Sequence, residues 1–447
     1  MNSKIDFING KTYKSLMKMF MPLFAAMTLT MIYSMVDSLW AGNLLGEHGM
    51  SALTAGTAIV TILNSLAMGM GNGISVMVAN LVGAGKKEKL PGAVATIVAA
   101  STVLSLMICI ASELSVKPIL TIMGTPQQVF ADAALYLSLY LIGNTALFLY
   151  MQFTSIFRAF GDPSFQMKGM ILTAIFNAIL DPVFIRMYGL AGAAVVTVAS
   201  EILCLVYAIF YYKKNKLFTM DFRKVNINDA ETMFKLSIPT AIQSIMPALS
   251  SAIMISFITP FGIDAIAGFG VARNLELIMS MPTTGMCMAI TAIVGQCVGA
   301  KRYDRAGDYL KAGLVLGGSL IAAISVLVII FSGQLTALFG QGRGTAEVVA
   351  VFFKIISIGY VLYMLTSCIQ GYLTGLGNPS MAMVLLVLYY VVIRIPAAVI
   401  LRSVFGLHGI WFAFLLSHIL AFIVATIMVQ LLNKKHDTIR GPLYEGL

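Results

Sequence analysis

The chain has 447 residues, of which 59% are hydrophobic and only 11% are charged, and its mean hydropathy is +0.90. A soluble domain has roughly 25% charged residues, so this composition excludes an ordinary soluble protein. Apolar stretches of about 20 residues, long enough to cross a bilayer as a helix, recur along the whole chain. Because a backbone in lipid must satisfy its own hydrogen bonds and no β-barrel alternation is visible, we predict an all-α integral membrane protein.

The apolar stretches predict twelve transmembrane helices. They cover residues 15–42, 52–80, 92–113, 133–156, 165–187, 190–212, 234–259, 264–297, 307–333, 349–375, 381–402 and 406–432. One long polar interruption, from Lys213 to Lys235, divides them into two sets of six. We therefore predict an N-terminal lobe (1–212), a cytoplasmic linker (213–233), a C-terminal lobe (234–433) and a cytoplasmic tail (434–447).

The net charge of +10 comes mainly from basic residues in short loops, where they act as topology signals rather than as a nucleic-acid surface. With both termini on one side of the membrane, 22 Lys and Arg residues lie on that side. The other side has only four, Lys117, Arg186, Arg343 and Arg402. This asymmetry predicts a multi-pass protein of the cell (inner) membrane with both termini cytoplasmic. The first apolar run is long and lacks a cleavage site, so it is span 1 rather than a signal peptide.

The two halves contain matching motifs in the same order. Gly161-Asp162-Pro163-Ser164 recurs as Gly377-Asn378-Pro379-Ser380. The segment 82–84 recurs at 298–300 with the identical offset, and the segment 189–192 recurs at 406–409 with an offset one position longer. Six spans per half make the two halves parallel repeats, related by an axis along the membrane normal. Such repeats commonly enclose a cavity at their interface and work by rocking.

A carboxamide and a carboxylate stand four positions apart in span 5. Asn177 and Asp181 share one helix face, and Pro182 leaves a backbone carbonyl free near Ala178. An acid inside a membrane span is costly and indicates a functional site. A hydroxyl from Thr197 in span 6 could complete an oxygen-rich site, although such hydroxyls more often bond their own helix.

A second acid, Asp37, lies in span 1 one turn after Tyr33, and Pro22 is expected to bend that helix. If it faces the same cavity as Asp181, the two carboxylates could carry a proton or coordinate Na⁺ together with Asn177. The alternative is that Asp37 is merely solvated at the outer end of its helix. At the positions of the second half that correspond to Asp181 and Asp37, the chain has Ala397 and Ile253. Ion chemistry is therefore predicted in the N-terminal half.

Several other side chains are candidates for a substrate cavity. Arg273 and Glu276 in span 8 can pair on one helix face, and methionines in spans 2 and 8 could line an adaptable wall. Ordinary packing explains the methionines equally well. The full set of cavity candidates is Tyr33, Met68, Gln243, Arg273, Glu276 and Met279. The roles of Glu201, which could pair with a loop base, and of Arg394 stay open.

The combination of motifs resembles the multidrug and toxic compound extrusion (MATE) family. It comprises Asp37 after Pro22, VGAGKK (82–87), VGAKR (298–302), FRAFGDPS (157–164), NAILDP (177–182) and GLAGAA (189–194). The resemblance implies two six-helix lobes around a V-shaped cavity, and antiport of cationic or amphipathic drugs against H⁺ or Na⁺. It implies no enzyme activity, and we expect no cofactor, a monomer and a lipid bilayer as environment.

Within the family the chain is most similar to the DinF-like branch. That resemblance implies a cation site at Asp37, Asn177 and Asp181 with a hydroxyl from Thr197. NorM-like members carry acids in spans 7 and 10, where this chain has Gln243 and Gln370. The absence of an ATPase motif indicates that an ion gradient supplies the energy.

Two other functions remain as alternatives. A lipid-linked precursor flippase needs a strongly basic cavity, and only Arg273 and Arg394 are deep basic candidates. A membrane-embedded enzyme acting on isoprenoid diphosphates needs an acid-rich DDxxD motif, which the sequence lacks. The specific substrate and the choice between H⁺ and Na⁺ stay open.

Overall fold

The computed structural model describes residues 4–337 and 343–438, and within these ranges the protein is almost entirely helical without a β-strand. Its twelve helices are α1 (Thr12–Gly46), α2 (Gly49–Gly83), α3 (Leu90–Ile122), α4 (Gln127–Ala159), α5 (164–188), α6 (190–215), α7 (Ile227–Ile258), α8 (Ile263–Gly299), α9 (Tyr303–Ala337), α10 (Arg343–Gly375), α11 (Pro379–Phe405) and α12 (Leu407–Thr438). The all-α class and the twelve spans are confirmed. Residues 439–447 of the predicted tail lie outside the described residues.

Three glycines with positive φ break the chain between consecutive helices. Gly46 (φ 65°) separates α1 from α2, and Gly189 (φ 60°, ψ −139°) separates α5 from α6. Gly406, the repeat partner of Gly189, has nearly the same torsions (φ 58°, ψ −135°) and separates α11 from α12. Side chains rarely adopt these torsions because Cβ would approach the neighbouring carbonyl. The two halves therefore turn their chains in the same way at matching positions.

Eleven described helical segments are long and apolar enough to cross a membrane. One of them, Ser164–Asn215, has 52 residues, which as a single helix would be about 78 Å long against a hydrocarbon core of about 30 Å. The break at Gly189 makes it two spans, which gives twelve crossings. Most helices extend several residues past the predicted spans, because the spans were defined by apolar residues and the helices also include polar residues at their ends.

The end of the bundle where α1 begins and α2 ends carries the lysine- and arginine-rich loops, and we call it the basic face. Near this face, backbone contacts join α2 of the first half to α7 and α8 of the second. A Cβ atom on Gly73 would lie 2.5 Å from the Ser237 Cα, and Gly83 and Gly299 lie directly against Gln296 and Asn80. Ser237 also donates a hydrogen bond to the Met70 carbonyl at 3.1 Å. The two halves therefore touch at this face.

The N-terminal segment, residues 4–11, bridges both halves at the basic face. Lys4 forms a 2.6 Å ion pair with Asp162 of the first half. A few residues later Phe7 is buried against Tyr309 of α9, and Arg305 donates hydrogen bonds to the Phe7 and Gly10 carbonyls. The segment thus ties α9 to the loop between α4 and α5.

Aromatic clusters hold each half together. In the first half, Phe157 and Phe165 stack with ring centroids 4.3 Å apart, next to Phe218 of the linker. In the second half, Phe352 and Trp411 meet edge to face at 5.0 Å. Such contacts stabilise beyond the burial of their area, by about 0.5–1.5 kcal/mol each.

Candidate functional sites

A cavity lies between α2 of the first half and four helices of the second, with about 600 Å³ of empty space that includes its open mouth. It is lined by Met68 and Asn72 of α2, Gln243, Ser244 and Pro247 of α7, Thr283, Thr284, Cys287 and Met288 of α8, Tyr363, Thr366, Ser367 and Gln370 of α10, and Leu386, Tyr389 and Tyr390 of α11. No Asp, Glu, Lys or Arg is among these lining residues. Its wall is therefore neutral, with aromatic rings, thioethers, amides and hydroxyls.

The two glutamines of the cavity bond to each other. The Gln370 amide donates to the Gln243 carbonyl oxygen at 3.0 Å, and the Gln243 amide donates to the Pro379 carbonyl at 2.8 Å. This arrangement joins α7, α10 and α11.

The aromatic wall of the cavity depends on an irregular stretch of α11. Residues Leu388–Ile393 form a π-helical turn, a local widening that often occurs at functional sites. Pro396 follows shortly and cannot donate the hydrogen bond that a regular helix needs there, which loosens the helix at this point. Tyr389 and Tyr390 both lie in the widened turn, with ring centroids 4.1 Å apart, and both line the cavity.

Arg394 is only 5% exposed and lies directly behind this wall. The carbon of its guanidinium group is 4.8 Å from the ring centres of Tyr389 and Tyr390 and 4.4 Å from that of Phe414. Its Nε atom donates to the Ser417 hydroxyl at 3.0 Å. A positive charge enclosed by rings in this way is stabilised by their electron-rich faces.

A second site lies in the first half. Asn177 and Asp181 of α5 are each 1% exposed. The Asn177 amide donates to the Thr173 carbonyl at 3.0 Å, but its Oδ1 atom and both carboxylate oxygens of Asp181 have no hydrogen-bond partner among the described residues. Buried oxygens are nearly always paired, so three unpaired acceptors on one helix face indicate a place for a cation or a donor. The spacing of four residues between Asn177 and Asp181 had predicted this common face.

Asp37 and Tyr33 of α1 face this site. Asp37 is half-buried and lies within electrostatic range of Asp181, while Tyr33 interacts with both carboxyls and lies beside the Thr197 hydroxyl. Thr197 itself donates to the Ala193 carbonyl at 3.0 Å, so its oxygen keeps only its acceptor positions for a ligand. The structure therefore brings Tyr33, Asp37, Asp181 and Thr197 together. We call Asp37, Asn177 and Asp181 the acidic site.

The other predicted cavity residues occupy different places. Met68 and Gln243 line the cavity, but Met279 is 1% exposed in the core of the second half. The pairing of Arg273 with Glu276 stays a prediction: Arg273 is exposed and lies within electrostatic range of Glu276, while the Glu276 carboxylate accepts a 2.9 Å hydrogen bond from Tyr360. A tyrosine on the neighbouring helix thus bonds to the carboxylate, which helix spacing alone does not show.

Pro22 lies inside α1, where the backbone torsions stay helical on both sides. The proline therefore does not interrupt the helix, and the bend at this position stays a prediction. Glu201 does not pair with a loop base, because it is 5% exposed within the bundle and forms no ion pair in the described part of the chain.

Oxygen atoms dominate the acidic site. Within residues 4–337 and 343–438, no group of three or more His, Cys, Asp and Glu side chains is arranged to hold a metal ion. The oxygen set of two carboxylates and one amide is instead the kind that suits a proton or a hard monovalent cation such as Na⁺. The orphaned Asn177 and Asp181 oxygens fit that requirement.

Residues missed by sequence reasoning are mostly aromatic. Tyr363, Tyr389 and Tyr390 form one wall of the cavity, and only the motif of two tyrosines followed by Arg394 and Pro396 could have indicated it. Asn72 of the cavity accepts a 3.0 Å hydrogen bond from Arg158, the arginine of the FRAFGDPS motif.

Comparison with known proteins identifies the class. The MatE family model matches residues 22–183 and again residues 239–400, one segment in each half. Together they cover more than half of the chain, so the chain belongs to the MatE family. It is therefore a multi-pass membrane transporter and not an enzyme, which excludes the isoprenoid-diphosphate alternative. The match in two halves agrees with the internal repeat.

Individual relatives extend the comparison over the full length. The chain is 24% identical over 413 residues to the probable multidrug resistance protein YoeA of Bacillus subtilis (strain 168), covering 89% of each chain. It is 24% identical over 449 residues to the multidrug export protein MepA of Staphylococcus aureus (strain N315), covering 98% of each. A solved structure described as the outward-facing conformation of a multidrug resistance MATE family transporter of the MOP superfamily has a TM-score of 0.93 at 20% identity, covering 98% of this chain and 100% of that chain.

Proposed function

We propose that this transporter is a secondary antiporter that exports cationic or amphipathic organic compounds in exchange for H⁺ or Na⁺. It acts in the cell (inner) membrane with both termini in the cytoplasm, as a monomer without a cofactor. The names of YoeA and MepA, a probable multidrug resistance protein and a multidrug export protein, support export of several different drugs. The two sites described above give it a physical basis.

The acidic site carries the proposal. Its three unpaired oxygens on Asn177 and Asp181 are buried in the first half, and Asp37 adds a second carboxyl within electrostatic range. Leaving a buried acceptor unpaired costs about 1–3 kcal/mol, and a charged group costs more. A proton or Na⁺ removes this penalty. The site therefore favours binding of the coupling ion over an empty charged state.

The central cavity supplies the substrate site. Tyr363, Tyr389 and Tyr390 line the cavity, and each contact of a bound cation with such a ring would contribute about 0.5–2 kcal/mol depending on solvent exposure. Met68 and Met288 adapt to different apolar shapes. Because no lining residue is charged, recognition depends on rings and apolar area rather than on an ion pair. The cavity thus favours organic cations with delocalised charge.

Coupling between the two sites requires two conformations of the protein. An ion moves the equilibrium only if it binds one conformation more tightly than the other. In this structure the two halves are in contact at the basic face through Gly73 and Gly83, and the N-terminal segment crosses from one half to the other. Opening to the cytoplasm would have to break these contacts. We propose that ion binding at the acidic site and cation binding in the cavity favour opposite conformations.

Transport in proteoliposomes tests the proposal. Purified protein would be reconstituted, and ethidium movement followed under an imposed pH gradient and, separately, an imposed Na⁺ gradient. We expect one gradient to drive transport and Asp181→Asn to abolish it. Asp304→Asn, which changes an exposed aspartate at the start of α9, is the control and should transport as the wild type does. If neither gradient moves ethidium and Asp37→Asn and Asp181→Asn bind it normally, the proposal is wrong.

A lipid-linked precursor flippase is not favoured by the same observations. A pyrophosphate needs basic side chains on the cavity wall, and none of the lining residues is basic. Arg394 is enclosed by three aromatic rings behind the wall, and Arg273 is exposed elsewhere on α8.

A further inference from the structure

Glu201 of α6 is another buried carboxyl in the first half, apart from the acidic site. It is 5% exposed, and its Oε2 atom has no hydrogen-bond partner among the described residues. Within residues 4–337 and 343–438, no Lys or Arg is ion-paired with it. A carboxylate buried without a counter-ion is strongly disfavoured, so this group requires a proton or another cation for neutrality.

The groups from other helices that interact with Glu201 lie on α1 and α4. Tyr140 of α4 bonds to its carboxyl and also contacts Asn64 of α2, with 3.3 Å between the amide nitrogen and the phenol oxygen. Tyr33 of α1 and Tyr136 of α4 lie within electrostatic range of it.

Cys204 is a further direct neighbour of Glu201, and Asp181 is linked to it only through shared tyrosines. Cys204 follows Glu201 on α6, and Asp181 of α5 interacts with the same two tyrosines, Tyr33 and Tyr136. Each polar side chain shown to interact directly with Glu201 is thus a phenol or a thiol. None of them can neutralise a carboxylate by its own charge.

A glycine makes room for this carboxyl. A Cβ atom on Gly143 of α4 would collide with the Oε2 atom of Glu201. The same arrangement recurs in the second half: the offset that relates 161–164 to 377–380 also relates Gly143 to Gly359 of α10. The offset that relates 189–192 to 406–409 likewise relates Glu201 to His418 of α12. A Cβ atom on Gly359 would come within 2.7 Å of the His418 Cδ2 atom.

His418 resembles Glu201 in its environment as well as in its position. It is 4% exposed, its Nδ1 atom lies 2.5 Å from the Tyr389 hydroxyl, and its Nε2 atom has no partner among the described residues. Each repeat therefore places a titratable side chain with one unpartnered polar atom against a glycine. This repetition indicates that the position is built to hold such a group, rather than occupied by one accidentally.

We infer that Glu201 is a protonation site in its own right, which exchanges a proton during transport separately from the acidic site. The step is simple: the carboxylate binds H⁺ at Oε2 to become a neutral acid, and it later releases the same H⁺. This inference rests on the proposed antiport. Binding of a cationic substrate should then release one more proton than the acidic site releases by itself.

Infrared spectroscopy tests the protonation state without any substrate. When the glutamate carboxyls are labelled with ¹³C, their infrared bands shift away from the bands of Asp37 and Asp181. At neutral pH we expect a protonated-glutamate band that disappears in Glu201→Gln and persists in Glu113→Gln, an exposed control on α3. Glu276→Gln identifies any contribution from the other inward-facing glutamate. If Glu201→Gln keeps the full band, Glu201 is ionised and the inference is wrong.

Calorimetry tests the exchange. Ethidium binding measured in buffers of different ionisation enthalpy gives the number of protons released per bound cation. We expect the number of protons released to fall by one in Glu201→Gln and to keep its wild-type value in Glu201→Asp. The aspartate variant also shows whether a change at this position causes misfolding. An unchanged number in Glu201→Gln would overturn the inference. If the wild type binds no ethidium, the proposed antiport fails, while the infrared result still decides whether Glu201 carries a proton.

Discussion

Gly69 of α2 lies directly against Ala241 of α7, so that a Cβ atom at position 69 would be 2.5 Å from the Ala241 Cα and 2.6 Å from the Thr240 carbonyl oxygen. Both obstacles are backbone atoms, which cannot rotate away. The contact lies about 20 Å along α2 from its basic end, at a rise of about 1.5 Å per residue. The two halves therefore stay in contact from the basic face to the level of Met68 in the cavity.

We predict that Gly69→Ala separates the halves and raises the population that is open at the basic face. Overpacking of this kind costs about 1–3 kcal/mol, enough to change that population by roughly 5- to 150-fold. The measurement is the rate at which a maleimide labels Ser237→Cys, a fully buried position in the same interface, in a cysteine-depleted background. Gly270→Ala, whose Cβ would meet no atom within 4 Å, is the matched control. Equal labelling rates in both variants would contradict the prediction.

A second prediction concerns the bond between Tyr389 and His418. Tyr389→Phe keeps the ring but leaves the buried Nδ1 atom of His418 unpaired, in addition to its unpaired Nε2 atom. Loss of a partner for a buried polar group costs about 1–3 kcal/mol, so the melting temperature in detergent should fall by about 1–3 °C. Tyr13→Phe, at a residue that is 52% exposed, should have the same melting temperature as the wild type. If both variants share the wild-type melting temperature, the bond does not contribute to stability.

The aromatic wall of the cavity gives a third prediction. Tyr390→Ala removes a ring face from the cavity and should weaken ethidium binding by roughly 2- to 30-fold, as expected for one cation–π contact. Fluorescence anisotropy of the bound dye measures the dissociation constant. Tyr188→Ala, at the 59% exposed end of α5, provides the comparison and should bind with wild-type affinity. Identical affinities would show that the ring does not contact the dye.

The sequence predicted those features that depend on local periodicity. The twelve spans follow from apolar length, and the common face of Asn177 and Asp181 follows from helix geometry. Both are properties of a single helix, so no knowledge of neighbouring helices was needed. The repeated torsions of Gly189 and Gly406 likewise follow from matching motifs in the two halves.

Features that depend on contacts between helices were not predictable in the same way. Glu276 accepts a hydrogen bond from Tyr360 of α10, and the rings around Arg394 include Phe414 of α12. Helix spacing shows which side chains of one helix can meet, but not which partner on another helix competes. The burial of Glu201 against Gly143 is of the same kind, because the sequence places no limit on the distance between α4 and α6.

The last prediction concerns the N-terminal segment. The Arg305 guanidinium donates to the carbonyls of Phe7 and Gly10 and to the Thr12 hydroxyl, and thereby fixes the segment to α9. Arg305→Gln removes most of these donors, each of which contributes about 1.5–3 kcal/mol because the donor is charged. Amide hydrogen exchange in residues 4–11 should therefore accelerate by at least tenfold.

Lys311→Gln is the control for that experiment, since it removes a positive charge from the same helix at an exposed position without a bond to the segment. Its exchange in residues 4–11 should match the wild type. Because the segment bridges the two halves through Lys4 and Asp162 as well, Arg305→Gln should also increase maleimide labelling of Ser237→Cys. Faster exchange without increased labelling would mean that the segment is held by Arg305 but does not help to keep the basic face closed.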